Sequence, residues 1–306
     1  MSKSEKKDII ASIQNRLKNK AREANRPYQE LLIQYGIERF LYRLSKSSYA
    51  RQLILKGGLM QFIWSDMPAR PTRDIDFLEI TSNNLEDLSV LVKSICEWKV
   101  EEDGITFDLN SLNARSTIEG EEYHGARITF AAYLGNQKIP MQIDIGIGDI
   151  VFPESRPGRF PSLLGHDSIF VRSYSMESVI AEKFHAMVKL DEANSRMKGF
   201  YDIWILAQTF EFDGEQLAKS ICRTFQRRAT AVTDAPLALN ESFANLPNKE
   251  NQWRAFIRKS ELVNIAPQTL MATITQLSRF LLPMCKALVV SKPFSAKWKP
   301  GDGWNN

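Results

Sequence analysis

The feature that most constrains this chain is a pair of carboxylates inside an apolar run. Asp74-Ile75-Asp76-Phe77-Leu78 reads as a strand, where residues i and i+2 project from the same face. Asp74 and Asp76 then point together, and Ile75 and Phe77 face the other way. Two adjacent like charges repel, and each loses hydration on entering a sheet. A strand tolerates that where both stay solvated at an edge or in a loop, or where a cation lies between them. Upstream, Leu53-Ile-Leu-Lys-Gly-Gly-Leu-Met gives a strand, a break and a short amphipathic helix. Glycines at such a turn let the backbone approach a ligand and aim amide hydrogens at phosphate oxygens. Taken alone, Gly57-Gly58 reads as an ordinary turn. Combined with Arg70-x-Thr72 and the Asp pair at this interval, it favours a site for a metal and a phosphate. Mg²⁺ suits this set because it takes carboxylate ligands and keeps substrate phosphate oxygens in its remaining positions.

Such a site needs a further carboxylate from another strand. Ile139-Pro-Met-Gln-Ile-Asp-Ile-Gly-Ile-Gly-Asp supplies Asp144. Alternation places Met141, Ile143 and Ile145 toward the core and Gln142, Asp144 and Gly146 on the opposite face. An Asp isolated in an apolar strand is unfavourable without a partner, which fits a metal ligand or a base. Asp149 lies beyond the expected strand end, in a loop. Three carboxylates and a phosphate turn meet the needs of two-metal phosphoryl transfer.

The rest of the chain supplies the frame. Of 306 residues, 43% are apolar and 25% charged, which excludes a disordered or collagen-like chain. Forty Lys and Arg against 36 Asp and Glu leave +4, too weak a bias to argue for nucleic acid by itself. Cys96, Cys222 and Cys285 are odd in number and lack zinc-ligand spacing, so a reducing cytoplasm is expected. The charged opening residues lack the apolar core of a signal peptide, and the run from Phe280 to Val290 is too short to span a membrane.

Residues 1–50 read as a helical extension, 51–172 as an α/β core, and 173–306 as a helical domain. Strands are expected at Gln52–Lys56, Asp74–Ile80, Ile105–Leu109, Ala126–Tyr133 and Ile139–Ile145. Helices fit Leu59 to Trp64 and Leu85 to Trp98, and a Pro-rich loop is expected from Phe152 to Pro161. The fold class is therefore α+β, a mixed-sheet lobe with N-terminal helices and a C-terminal helical domain.

Two residues of the helical part stand out. Ser175 suits the N-cap of a helix reaching about Leu190, on which Lys183 falls within the stripe of Met176, Val179, Ile180, Phe184 and Met187. Lys183 either snorkels at the stripe's edge or carries its ammonium to an anion such as a nucleotide triphosphate. Asp202, on a helix burying Phe200, Ile203, Trp204 and Ala207, is expected toward the polar side, where it could pair with Lys198. Arg223, Arg227 and Arg228, and separately Arg254, Arg258 and Lys259, are solvated helix faces or contacts for an RNA backbone. His124, His166 and His185 are scattered and form no triad or zinc pattern.

These residues together resemble the AbiEii/AbiGii toxin family of type IV toxin–antitoxin systems, within the nucleotidyltransferase superfamily related to DNA polymerase β. The carriers are Lys56-Gly57-Gly58, Arg70-Pro71-Thr72-Arg73-Asp74-Ile75-Asp76, Ile143-Asp144-Ile145-Gly146, Glu182-Lys183-Phe184-His185-Ala186 and Arg196-Met-Lys-Gly-Phe-Tyr-Asp202-Ile203. They lie in the family's order across residues 52–208. Two departures stand out: the interval from Gly58 to Asp74 exceeds that of the compact polymerase β signature, and Gly199 occupies a position where many members carry Asp.

The resemblance implies a polymerase β-like lobe, with Asp74, Asp76 and Asp144 as metal ligands and catalytic residues. It implies Gly57, Gly58 and Lys183 as nucleotide-binding residues, and Lys183 and Asp202 as further catalytic residues. It also implies Mg²⁺ (Mn²⁺ as the alternative), an NTP substrate, transfer of a nucleoside monophosphate to RNA at a tRNA 3′ end, and inhibition of growth or phage propagation. The expected partner is a cognate antitoxin with a winged-helix DNA-binding domain. Modification of a small molecule or a protein, as by antibiotic-modifying transferases, and a catalytically inactive binding module are the competing readings.

Overall fold

Alternation of apolar and polar residues from Gln137 to Ile147 builds the strand around which the first half of the molecule is arranged. The computed structural model describes residues 3–64, 72–79, 84–118 and 124–305. Arg70 and Pro71 of the expected motif lie outside them, as do Ile80 and residues 119–123. The chain forms two units, residues 1–148 with 156–173, and residues 149–155 with 174–306.

In chain order the first unit contains α1 (Lys3–Glu23), α2 (Tyr28–Lys46), β1 (Leu53–Lys56), α3 (Met60–Trp64), β2 (Ile75–Glu79), α4 (Leu85–Cys96), β3 (Ile105–Ile118), β4 (His124–Leu134), β5 (Gln137–Ile147), β6 (Arg156–Phe160) and β7 (Ile169–Ser173). Among the described residues its strands form one sheet in the order β3-β4-β5-β2-β1-β7-β6. Pairing is mixed: β2 runs parallel to β5 and β1 parallel to β7, and the other neighbours are antiparallel. Ile139, Met141, Ile143 and Ile145 are buried on one face of β5, as alternation requires. Helix α2 packs against β5 and β7, and α4 against β3. Gly36 of α2 permits the close approach, because a Cβ there would come within 3.0 Å of Ile139.

Helix α2 is buried around its whole circumference from Leu31 to Leu44, including Glu38, Arg39 and Arg43. Burying those charges requires partners. Asp103 accepts hydrogen bonds from Arg39 at 2.9 Å and from Arg43 at 2.6 and 3.1 Å. Glu38 accepts from Ser162 Oγ at 2.9 Å and from the Leu163 amide at 2.7 Å. Burial alone would raise the Asp103 carboxyl, but the bonds and charges of Arg43 and Arg39 outweigh it and hold it below its ordinary value. For Glu38 burial prevails over its hydrogen bonds, and its carboxyl is raised.

The second unit contains α5 (Met176–Leu190), α6 (Met197–Thr209), β8 (Phe212–Asp213), α7 (Gly214–Arg227), α8 (Glu241–Ala244), α9 (Lys249–Lys259), α10 (Leu270–Val289), β9 (Lys297–Lys299) and β10 (Gly303–Asn305). Ser175 caps α5 by accepting from the Ser178 amide, as expected, and Asp213 and Thr269 cap α7 and α10 in the same way. Aromatic pairs close its core: Phe184 with Phe225, Phe200 stacked on Phe243, and Phe280 against Trp298 and Trp304.

The α+β class with a mixed sheet is as expected, and three local expectations need correction. The Pro-rich segment contains β6, where Pro157 is tolerated because β6 is, among the described residues, the edge strand of the sheet. Strand β7 and the small β8–β10 sheet were not anticipated, and β3 runs nine residues past Leu109, its register shifting between Asp108 and Asn113. No helix among the described residues is long and apolar enough to cross a membrane.

Candidate active site

The sheet register brings the sequence-predicted carboxylates together. Asp76 on β2 lies directly beside Asp144 on β5, and Asp74 immediately precedes β2. One carboxylate oxygen from each of Asp74, Asp76 and Asp144 lies within 4.8 Å of the others. All three side chains are half-buried, with the apolar residues between them fully buried behind. Thr72 Oγ1 donates to Asp74 Oδ1 at 3.3 Å.

Extending the register sideways exposes a charged row that the sequence did not reveal. Arg115 on β3 is opposite Arg127 on β4, Arg127 is opposite Asp144, Asp144 is beside Asp76, and Asp76 is opposite Lys56 on β1. Directly paired residues share a face, so five charged side chains cross five strands in the sequence + + − − +. The Arg127 fork grips Asp144, Nε to Oδ1 at 2.6 Å and Nη2 to Oδ2 at 2.8 Å. Gln142 adds a third bond to Oδ2 at 3.1 Å. The bond to Asp144, with the charges of Asp144, Asp74 and Asp76, raises the Arg127 pKa above its ordinary value against the opposing effect of burial.

The turn after β1 is shaped by the same site. Gly57 opens a 3₁₀ turn over Gly57–Leu59 with φ +72°. A Cβ at Gly57 would stand 1.9 Å from Asp76 Oδ2, so the glycine is what allows the turn to approach the carboxylate. Gly58 is buried within the turn. On β5, Gly146 leaves room for Lys56, whose Nζ would be 3.1 Å from a Cβ there. A groove of about 570 Å³ adjoins Asp74 on this unit, bordered by Arg73, Lys138, Ser111, Thr129 and Gln142.

Lys183 and Asp202 belong to the second unit, where they meet in an ion pair of 2.8 Å. Asp202 is therefore not on the polar side of α6 beside Lys198. It is buried, because α6 also buries Tyr201 and Leu206 and turns the Asp202 side inward against α5. Lys183 is neither a snorkelling surface residue nor an unaccompanied cation. The basic cluster on α7 also divides: Arg228 pairs with Asp149 at 2.9 Å and donates to His185 Nδ1 at 3.2 Å, and Arg223 lies over the Phe152 ring at 4.2 Å. Arg254 pairs with Glu250 along α9.

Sequence reasoning missed Arg127 and Gln142 as site residues, and Lys56 beyond its place in the Lys-Gly-Gly string. The donor set suits a divalent cation: three clustered carboxylate oxygens, matched by an Arg and a Lys at the row's flanks. Among the described residues no other cluster of three or more His, Cys, Asp or Glu has this geometry.

A family model described as the nucleotidyl transferase AbiEii toxin of type IV TA systems matches residues 39–271, more than half of the chain. Among curated proteins none matches. Among solved structures the chain is similar to JHP933 from Helicobacter pylori, with 16% identity, TM-score 0.48, and coverage of 87% of this chain and 94% of that one. A second H. pylori structure, described as a candidate nucleotidyltransferase, matches with the same identity and score, covering 87% of this chain and 96% of that one.

Proposed function

Because the chain belongs to the AbiEii family of nucleotidyltransferase toxins of type IV toxin–antitoxin systems, we propose that it transfers a nucleoside monophosphate from an NTP to the terminal hydroxyl of an RNA, a tRNA 3′ end being the leading acceptor. The observation that carries this reading is the convergence of Asp74, Asp76 and Asp144 beside the Gly57 turn. Three carboxylates against the two flanking cations Arg127 and Lys56 leave an excess of negative charge that a divalent ion would offset, which favours the active reading over an inactive relative of the fold.

Asp74, Asp76 and Asp144 would hold Mg²⁺ or Mn²⁺. When bound there, such an ion would supply Lewis-acid chemistry, lowering the pKa of the attacking hydroxyl and offsetting charge on the leaving pyrophosphate. The Gly57-Gly58 turn presents backbone amides to phosphate oxygens without a side chain in the way. Asp144 accepts the proton of the acceptor hydroxyl as its oxygen bonds to the α-phosphorus and the bond to the bridging oxygen breaks, releasing pyrophosphate. In the second unit, Lys183, its ammonium held by Asp202 at 2.8 Å, is the candidate point charge for phosphate that the family resemblance implies. A cognate antitoxin with a winged-helix domain is the proposed protein partner, and the cytoplasm the proposed compartment.

The deciding experiment incubates the full chain with each labelled NTP, Mg²⁺ and total RNA beside Asp76→Ala. Label on RNA with the wild type alone is the expected result. Equal labelling by both proteins, or none by either with Mg²⁺ or Mn²⁺, overturns the enzymatic reading. Label on protein or on a small molecule, with RNA blank, moves the acceptor to another class. Growth arrest on expression that Asp76→Ala abolishes is the expected mark of a toxin.

A further inference from the structure

Asp144 is the carboxylate that the proposed metal site most needs from β5, and both of its oxygens are already engaged. Arg127 takes one with Nε and the other with Nη2, and Gln142 takes a second bond on Oδ2. A bidentate guanidinium is the strongest single partner a carboxylate finds among side chains. It is also a positive charge held where a divalent ion must approach, so the two cations repel as well as compete. The Arg127 side chain remains 33% exposed and that of Asp144 23%, so the fork has open space into which it can swing. Arg115 stands directly opposite Arg127 on its other side. That like-charge pairing is unfavourable in a sheet unless an anion compensates, so Asp144 is at present the anion that compensates both guanidiniums, and a bound phosphate could take over that part.

We propose that Arg127 is a tethered counter-cation of the metal-free site, occupying Asp144 until a divalent ion displaces it and a phosphate group of the nucleotide receives the released guanidinium. The inference rests on the reading of Asp74, Asp76 and Asp144 as metal ligands. A purely structural cross-strand pair would strengthen Asp144 as a ligand by fixing it, and its loss would weaken metal binding. A competing cation does the reverse. The two roles therefore predict opposite signs for one measurement.

The measurement is Mn²⁺ binding to the full-length chain, followed by loss of the free-ion electron paramagnetic resonance signal, for wild type, Arg127→Gln, Arg127→Lys and Asp76→Ala. Arg127→Gln binds Mn²⁺ more tightly, on the order of tenfold, as expected when one partly exposed charge-assisted contact no longer opposes the ion. Arg127→Lys, which keeps the charge and loses the fork, falls between the two. Adding a non-hydrolysable NTP analogue tightens Mn²⁺ binding more in wild type than in Arg127→Gln, because only wild type has a guanidinium to remove. Equal or weaker Mn²⁺ binding by Arg127→Gln overturns the proposal. If Arg127→Gln does not fold, Arg127→Lys decides by the same sign. A metal site elsewhere shows as Asp76→Ala binding like wild type, and a wild type that binds no Mn²⁺ overturns both readings together.

Discussion

What leaves Asp76 its position is the hydrogen that stands in place of a methyl group at Gly57. Its φ of +72° lies where L side chains are strained, and its missing Cβ is the space that Asp76 Oδ2 occupies. Gly57→Ala should therefore be destabilising by about 1–2 kcal/mol from backbone strain. It should also push Asp76 aside and weaken Mn²⁺ binding well beyond what the stability loss explains. A thermal melt and a Mn²⁺ titration on the same sample separate the effects, and unchanged Mn²⁺ affinity would show that Asp76 relaxes freely. Gly199 is the opposite case: a Cβ there meets only Met187 Cε, at 3.8 Å. Gly199→Ala should stabilise the protein by roughly 0.5–1 kcal/mol through the unfolded chain, read as a higher melting temperature. The carboxylates themselves were legible, because alternation in β2 and β5 assigns each Asp to a face. Arg127 was legible in principle: Leu134 pairs with Gln137 across the Gly135-Asn136 turn, and seven residues back along each strand lie Arg127 and Asp144. Asp202 was not legible, because a lone acidic residue among aromatics looks the same from sequence whether it meets solvent or a lysine from another helix.

Among the secondary-structure elements, α2 departs furthest from what its sequence suggests. Glu38, Arg39 and Arg43 look like the solvated side of an amphipathic helix, yet all three are buried. Their partners lie at Asp103, Ser162 and Leu163, at least 60 residues away in sequence, beyond the reach of any periodicity. Asp103 is the centre of this arrangement, accepting from two guanidiniums and bonding the Ile105 amide at the start of β3. Asp103→Ala leaves two buried cations with no common anion, a loss of about 3–5 kcal/mol. A urea titration checks this. A midpoint shift corresponding to less than about 1 kcal/mol would mean that water replaces the carboxylate, and that α2 is less enclosed than its burial implies.

Across the whole molecule, the net charge of +4 conceals two differently built electrostatic interiors, and acid should tell them apart. In the second unit, Arg228 donates to His185 Nδ1 at 3.2 Å and Thr230 Oγ1 is 2.9 Å from Nε2. Thr230 Oγ1 donates its own hydrogen to the Arg228 carbonyl, which leaves Nε2 as the donor and fixes a neutral ring. Burial, then the Arg228 charge, lowers the His185 pKa to about 4. Between that value and about 6.5 the unfolded chain binds a proton at this residue and the native unit does not. Stability contributed by His185 is complete above that window and is lost as pH falls through it. In the first unit His166 is lowered as well, chiefly by burial, but the raised Glu38 carboxyl works in the opposite direction, since a proton there relieves a buried charge. The lowered Asp103 gives up its contribution only at more acidic pH, below the ordinary carboxylate range. The second unit should therefore loosen first on mild acidification. Hydrogen exchange at pH 5 against pH 7.5 should show protection lost in α5 and α7 before β5, and His185→Gln should remove most of that difference. Equal loss in both units, or a His185→Gln profile parallel to wild type, would place the acid sensitivity elsewhere.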